Sequence, residues 1–194
     1  LQAPIIAAKY DFSSVKRLCD VGGGSGTLLA ELLTTHPGIH GVLFELPEVL
    51  IEATQNLTDM GLGDRCDFVE GNFLESVPGR CDHYLLQFVL HDWSDDFCLK
   101  ILDNVKTAMP TDGRILVIEA VLEDDGRDPW TLRATDLLML VLTGSGRERT
   151  RSDFTALFRR AGLRTVSDVT LPSLLHVFEL EQVHSSTRVS GPGG

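Results

Sequence analysis

The chain reads as an α/β protein, a three-layer sandwich built on a mostly parallel seven-stranded sheet with an antiparallel hairpin at its C-terminal end. Three observations predict this. Strand-like and helix-like patterns alternate along almost the whole sequence, as they do in successive β-α-β units. The strand segments are short uninterrupted apolar runs, such as Ile115-Leu116-Val117-Ile118, which suit strands buried on both faces of a parallel sheet. The last two strand segments are separated only by Leu171-Pro172-Ser173, too short for a parallel crossover.

Each element follows in turn. Residues 17–22 form the first strand, and 26–36 a helix closed by His36-Pro37-Gly38. The second strand runs from His40 to Glu45. Pro47 opens a helix to about Met60, stopped by Gly61 and Gly63. Cys66–Val69 and Asp82–Val89 are the third and fourth strands. Ser94 caps a helix to about Ala108, which Pro110 and Thr111-Asp112-Gly113 end. Arg114–Val121 is the fifth strand, followed by the polar loop 123–129 and a helix over about 130–142. Ser152 is the expected cap of a helix over Asp153–Ala161, and strands over 164–170 and 174–181 complete the sheet. Residues 1–181 read as one domain and 182–194, ending Ser190-Gly191-Pro192-Gly193-Gly194, as a flexible tail.

Composition narrows the function. The 194 residues carry 43% hydrophobic and 23% charged residues, those of an ordinary globular domain. The net charge of −11 disfavours nucleic acid, whose phosphates want clustered Lys and Arg. No apolar run approaches the roughly 20 residues of a membrane span, and no secretory signal pattern opens the chain. Cys19, Cys66, Cys81 and Cys98 are scattered in apolar settings, which fits reduced thiols in the cytoplasm better than a disulfide framework or a metal site.

Cys19-Asp-Val-Gly-Gly-Gly-Ser-Gly26 links the first strand to the first helix. Gly22, Gly24 and Gly26 let the backbone turn sharply and admit a ligand at a helix N-terminus. A dinucleotide fingerprint would need glycine at Thr27, whereas Asp20 ahead of the turn suits a ligand with a cationic amino-acid end, such as S-adenosylmethionine. Glu45, at the end of the second strand, is placed to accept from ribose hydroxyls or is a solvated strand end. Asn72 and Phe73, after the third strand, suit an adenine edge or a simple turn. His91, within Leu90-His91-Asp92-Trp93-Ser94 at the carboxyl edge, is a candidate general base or a structural histidine. Asp92 could fix that imidazole or cap the next helix. Glu119, in an apolar strand, and Glu148, in Gly146-Arg-Glu-Arg-Thr150, could converge on His91. The alternatives are an exposed strand end for Glu119 and a surface pair with Arg147 or Arg149 for Glu148.

Taken in order and spacing, Asp20–Gly26, Phe44-Glu-Leu-Pro47, Val89-Leu-His-Asp-Trp-Ser94, Ile118-Glu119 and Gly146–Thr150 resemble the catalytic domain of class I S-adenosylmethionine-dependent O-methyltransferases. The likeness, over about residues 10–181, is to plant caffeate and acetylserotonin enzymes and bacterial polyketide relatives. It implies a Rossmann-like methyltransferase fold, S-adenosylmethionine as cofactor with S-adenosylhomocysteine as product, and no metal. It implies His91 as base, flanked by Glu119 and Glu148, acting on a small hydroxylated aromatic or polyketide-like acceptor. Cofactor contacts fall to Asp20, Gly22, Gly24, Gly26, Glu45, Asn72, Phe73 and Gln87, and acceptor contacts to Met139, Asp92 and Trp93. Three positions depart from the family pattern: Glu45 and Asn72 replace aspartates, and Gln87 replaces a lysine. The resemblance also implies that a helical dimerisation domain precedes residue 1 in full-length relatives, with a homodimer expected for the full-length protein and a monomer for this domain alone. The alternative is a catalytically silent module of the same fold that only binds the cofactor.

Overall fold

A computed structural model describes residues 2–122, 146–172 and 175–183. The loop expected at 123–129, the helix expected at 130–142 with Met139, and the tail from 184 lie outside the described residues.

The chain opens with α1 (Ala3–Lys9), then alternates β1 (Arg17–Val21), α2 (Thr27–Thr35), β2 (His40–Glu45), α3 (Pro47–Asp59) and β3 (Cys66–Glu70). It continues through β4 (His83–Gln87), α4 (Asp95–Ala108), β5 (Arg114–Leu122), β6 (Arg149–Thr150), α5 (Arg151–Arg160), β7 (Leu163–Thr170) and β8 (Leu175–Gln182). The sheet order is β3-β2-β1-β4-β5-β8-β7. β1 to β5 are parallel, β8 runs antiparallel to both β5 and β7, and β6 adds a short parallel pairing at Val121–Leu122 of β5.

Alternate side chains of the buried strands feed two cores. On one face Leu18, Leu43, Leu85, Leu116 and Val177 pack with Ile6 of α1, Leu29 and Leu33 of α2, and Ala53 and Leu57 of α3. On the other, Val21, Val42, Leu86, Val117 and Phe178 pack with Ile101 and Val105 of α4 and with Phe154 and Phe158 of α5. This is the predicted three-layer arrangement. Because the chain proceeds one way from β1 to β2 and the other way from β1 to β4, the strand order reverses between β1 and β4. The crevice above their carboxyl ends is where such sheets bind ligands.

Several local expectations are corrected. β4 stops at Gln87, not Val89, because Phe88 takes a left-handed backbone (φ +54°) that breaks the strand and leads into a 3₁₀ turn over Leu90–Asp92. The last long helix is capped by Thr150 rather than Ser152: the Thr150 hydroxyl accepts from Asp153 N at 3.1 Å while the Asp153 carboxylate accepts from Thr150 N at 3.1 Å, a reciprocal capping box. Ser94 stands at the N-cap of α4 as expected, but without a side-chain cap bond, leaving Asp95 and Asp96 to meet the helix dipole. β8 reaches Gln182, one residue into the segment read as tail. Neither α1 nor β6 was foreseen.

The turn after β1 needs its glycines for two reasons at Gly26. Its φ is +75°, and a Cβ there would overlap Leu57 Cδ1 of α3. Gly26→Ala therefore carries a left-handed backbone cost of about 1–2 kcal/mol before any clash is relieved. A lower urea midpoint with an unchanged slope is expected, while Gly38→Ala, where a Cβ meets nothing within 4 Å, leaves the midpoint nearly unmoved. Equal midpoints for the two variants would contradict this account of the turn.

Candidate active site

At the end of β1 the backbone turns through Gly22, Gly24 and Gly26, all with positive φ, and α2 begins at Thr27. A Cβ on Gly22 would press on Phe73 and Val89, whereas one on Gly24 would meet nothing within 4 Å, so the turn is packed beneath and open above. Asp20 lies under it, 2% exposed. Burial first, then the nearby Glu45 charge, pushes its carboxyl up to about 7. The open side at Gly24 and a buried acid that a cationic group would ionise fit a ligand with an amino-acid end.

Glu45 closes the other wall. Its carboxylate accepts from Gly24 N at 3.0 Å and from Leu46 N at 2.7 Å, so it ties the end of β2 to the glycine turn. Two oxygens offer about four acceptor positions, which leaves capacity for a diol. Asn72 Oδ1 accepts from Leu74 N at 2.9 Å, the simple-turn geometry that had been one of its two readings. Phe73 stands edge-on to Trp93, with centroids 5.8 Å apart, and its carbonyl accepts from Asn104 Nδ2 at 2.8 Å. Gln87, the last residue of β4, is half-buried and pairs in register with Ile118 of β5.

Across the crevice, the 3₁₀ turn carries His91, whose side chain is 16% exposed. Its Nδ1 faces Glu119 Oε2 at 3.3 Å and Glu148 Oε1 at 3.9 Å, and its Nε2 lies 3.4 Å from Asp92 Oδ1. Phe88 stacks on the ring at 5.6 Å between centroids. Glu119 is fully buried, so the exposed-strand-end alternative fails, and its Oε1 accepts from Leu90 N at 2.8 Å. Glu148 is also buried and turned toward His91, brought there by the pairing of β6 with the end of β5. The surface pair with Arg149 fails as well: Arg149 is 1% exposed and points to Asp95 and the carbonyls of Leu90 and Trp93.

The charges are tuned by burial. It pushes Glu119 up to about 8, helped by the Glu148 charge and opposed by the Leu90 N–H. It pulls His91 below its ordinary value against the attraction of Asp92, with Arg149 adding to the downward shift. His91 is thus a neutral imidazole near pH 7, with one nitrogen turned to buried carboxylates and the other beside Asp92.

A family description, O-methyltransferase domain, matches residues 1–164. The chain belongs to this family. It is 45% identical over 163 residues to the mitomycin biosynthesis 6-O-methyltransferase of Streptomyces lavendulae, covering 84% of this chain and 46% of that protein. It is 39% identical over 183 residues to the aclacinomycin 10-hydroxylase RdmB of Streptomyces purpurascens, covering 91% and 49%. Among solved structures, the O-methyltransferase NcsB1 from neocarzinostatin biosynthesis, in complex with S-adenosylmethionine and 2-hydroxy-5-methyl naphthoic acid, superposes with a TM-score of 0.82 at 36% identity, over 91% of this chain and 52% of that one. The chain spans about half the length of the relatives it matches.

The structure gathers Asp20, Gly22, Gly24, Gly26 and Glu45 around the turn after β1, and His91, Asp92, Glu119 and Glu148 around the turn after β4, with Phe73 against Trp93. Met139 lies outside the described residues. Arg149 was missed, because a charged residue in a polar motif carries no sequence signal for full burial. Among the described residues no group of three or more His, Cys, Asp or Glu could hold a metal ion, and no helix is long and apolar enough to cross a membrane.

Glu119 also makes stability depend on pH. Its folded value, about 8, lies above the unfolded value near 4.5, so the folded state holds a proton that the unfolded state has lost between those limits. Its contribution is complete below about 4.5 and is lost as pH rises through 8. Urea unfolding should therefore show the unmodified chain losing stability relative to Glu119→Gln between pH 5 and 8. A constant difference across that range would contradict the raised value.

Proposed function

We propose that this chain catalyses methyl transfer from S-adenosylmethionine to a hydroxyl of a small aromatic or polyketide-like acceptor, with His91 as general base. The observation that carries the reading is the His91 imidazole, pulled below its ordinary value by burial, with Nδ1 against Glu119 and Glu148 and Nε2 on the opposite side beside Asp92. Family membership alone does not select the reaction, since a protein named as a hydroxylase is among the relatives. The base and its two carboxylates do favour proton abstraction from a hydroxyl.

In this scheme Asp20 would hold the cofactor's ammonium, the Gly22–Gly26 turn would border its amino-acid end, and Glu45 would accept from its ribose. Asn72 and Phe73 border the adenine, with Gln87 at the same edge. When bound, S-adenosylmethionine supplies a methyl already made electrophilic by its sulfonium. The protein's own work is alignment and deprotonation. Once ionised, Glu119 would accept from Nδ1–H across the 3.3 Å that separates them, which leaves the Nε2 lone pair to take the acceptor's hydroxyl proton. The resulting imidazolium is flanked by Asp92, Glu119 and Glu148. Trp93, Asp92 and Met139 are assigned to the acceptor wall. The full-length protein is read as a cytoplasmic homodimer whose preceding domain completes that wall.

Calorimetry should show binding of S-adenosylmethionine and S-adenosylhomocysteine but not of NADH. A panel of phenols, 2-hydroxy-5-methyl naphthoic acid included, should then yield a methylated product detected by mass. His91→Ala should lower the rate by about 10²–10⁴-fold with cofactor binding retained. Cofactor binding with no transfer to any phenol would favour the silent-module reading, to which Glu45, Asn72 and Gln87 lend support. Equal rates for His91→Ala would remove His91 as the base.

A further inference from the structure

The 3₁₀ turn that carries His91 is held from two sides. From the sheet, Glu119 accepts from Leu90 N. From β6, the fully buried Arg149 guanidinium donates through Nη1 to Leu90 O at 2.8 Å, and through Nη2 to Trp93 O at 2.9 Å and Asp95 Oδ1 at 2.8 Å. Its Nε adds a 3.2 Å bond to the same Asp95 oxygen. The two carbonyls bracket His91 in sequence, and Asp95 is the first residue of α4. Cys98 Sγ points at the same carbonyls, 3.3 Å from Leu90 O and 3.5 Å from Trp93 O, while Arg147 N donates to His91 O at 2.8 Å. Burial works against the Asp95 charge, yet the Arg149 and Arg147 guanidiniums hold its carboxyl below the usual range, so the clamp is an ion pair.

We propose that Arg149 is a positioning residue for His91: its guanidinium fork joins both ends of the 90–93 turn to the start of α4 and so fixes the imidazole against Glu119. This rests on the reading of His91 as the base. The fork is what the task requires. Only a planar, multiply donating cation reaches two carbonyls and a carboxylate at once, and a lysine ammonium in its place keeps the charge but not the geometry. The groups facing His91 are Asp92 on its own turn, Glu119 on β5, Glu148 and Arg149 from the β6 side, and Arg147 and Asp95 at its flank. Arg149 and Arg147 are the cations in that set, so loss of Arg149 leaves the pull of Asp92 on the imidazole less opposed.

The test needs no acceptor. Nitrogen-15 NMR of the full 194-residue chain follows His91 titration and the exchange of its Nδ1 proton in the unmodified protein, Arg149→Lys and Arg149→Met, with His91→Ala for assignment. Arg149→Met should raise the His91 pKa by about one unit. Arg149→Lys should leave that pKa in place, yet exchange the Nδ1 proton about tenfold faster or more, because the turn is no longer pinned. If Arg149→Met does not fold, Arg149→Lys alone decides through the proton exchange. Variants that lose stability while the His91 pKa and the Nδ1 exchange stay as in the unmodified chain would overturn the proposal. A silent enzyme with these shifts present would instead count against the methyl-transfer reading alone.

Discussion

The carboxylate of Glu119 is the constraint on which the rest of the site depends. It sits fully buried in a strand whose neighbours Val117, Ile118 and Val121 are core, so the chain must surround it with donors or keep it protonated. One oxygen takes the Leu90 amide and the other faces His91, which ties the turn after β4 to the adjacent strand β5. Leaving a buried polar group of this set without its partner costs about 1–3 kcal/mol. The left-handed Phe88, the short 3₁₀ turn and the Arg149 clamp are the backbone and side-chain solutions that bring the Leu90 N–H to one of these oxygens and His91 alongside the other.

A second consequence concerns protons. With Glu119 pushed up to about 8 and His91 pulled below its ordinary value, the two titrate as a unit rather than as separate groups. In the proposed reaction the competent form is the one in which the pair has given up its second proton: Glu119 ionised, Nδ1 protonated, Nε2 bare. Glu148 on the same side raises Glu119 further. Arg149 opposes it, and also discourages a second proton on the imidazole. The site thus trades ease of ionisation for an imidazole that is neutral before the hydroxyl arrives.

The layered fold was legible in the sequence because it rests on signals that survive without tertiary context. Continuous apolar runs in β1, β2, β4 and β5, the Pro47 start of α3 and the Gly61 stop are local chemistry. So is the spacing of Gly22, Gly24 and Gly26. What the sequence hid depends on partners brought from afar. β6 is two residues long and exists because Val121 and Leu122 offer it an edge. Arg149 and Thr150 follow each other in one polar motif, yet one is a buried clamp and the other a helix cap. Asn72 shows the reverse: its turn bond to Leu74 is local chemistry, which the sequence around it allows as readily as an adenine contact.

The measurement that tests the central claim most directly is the tautomer of His91, read from long-range proton–nitrogen NMR correlations in the chain with S-adenosylhomocysteine present. Above about pH 8 the account predicts a neutral ring protonated on Nδ1, with the lone pair on Nε2, and a proton gained by the pair as pH falls. A ring protonated on Nε2 across the whole range would leave no base facing the crevice and would contradict it.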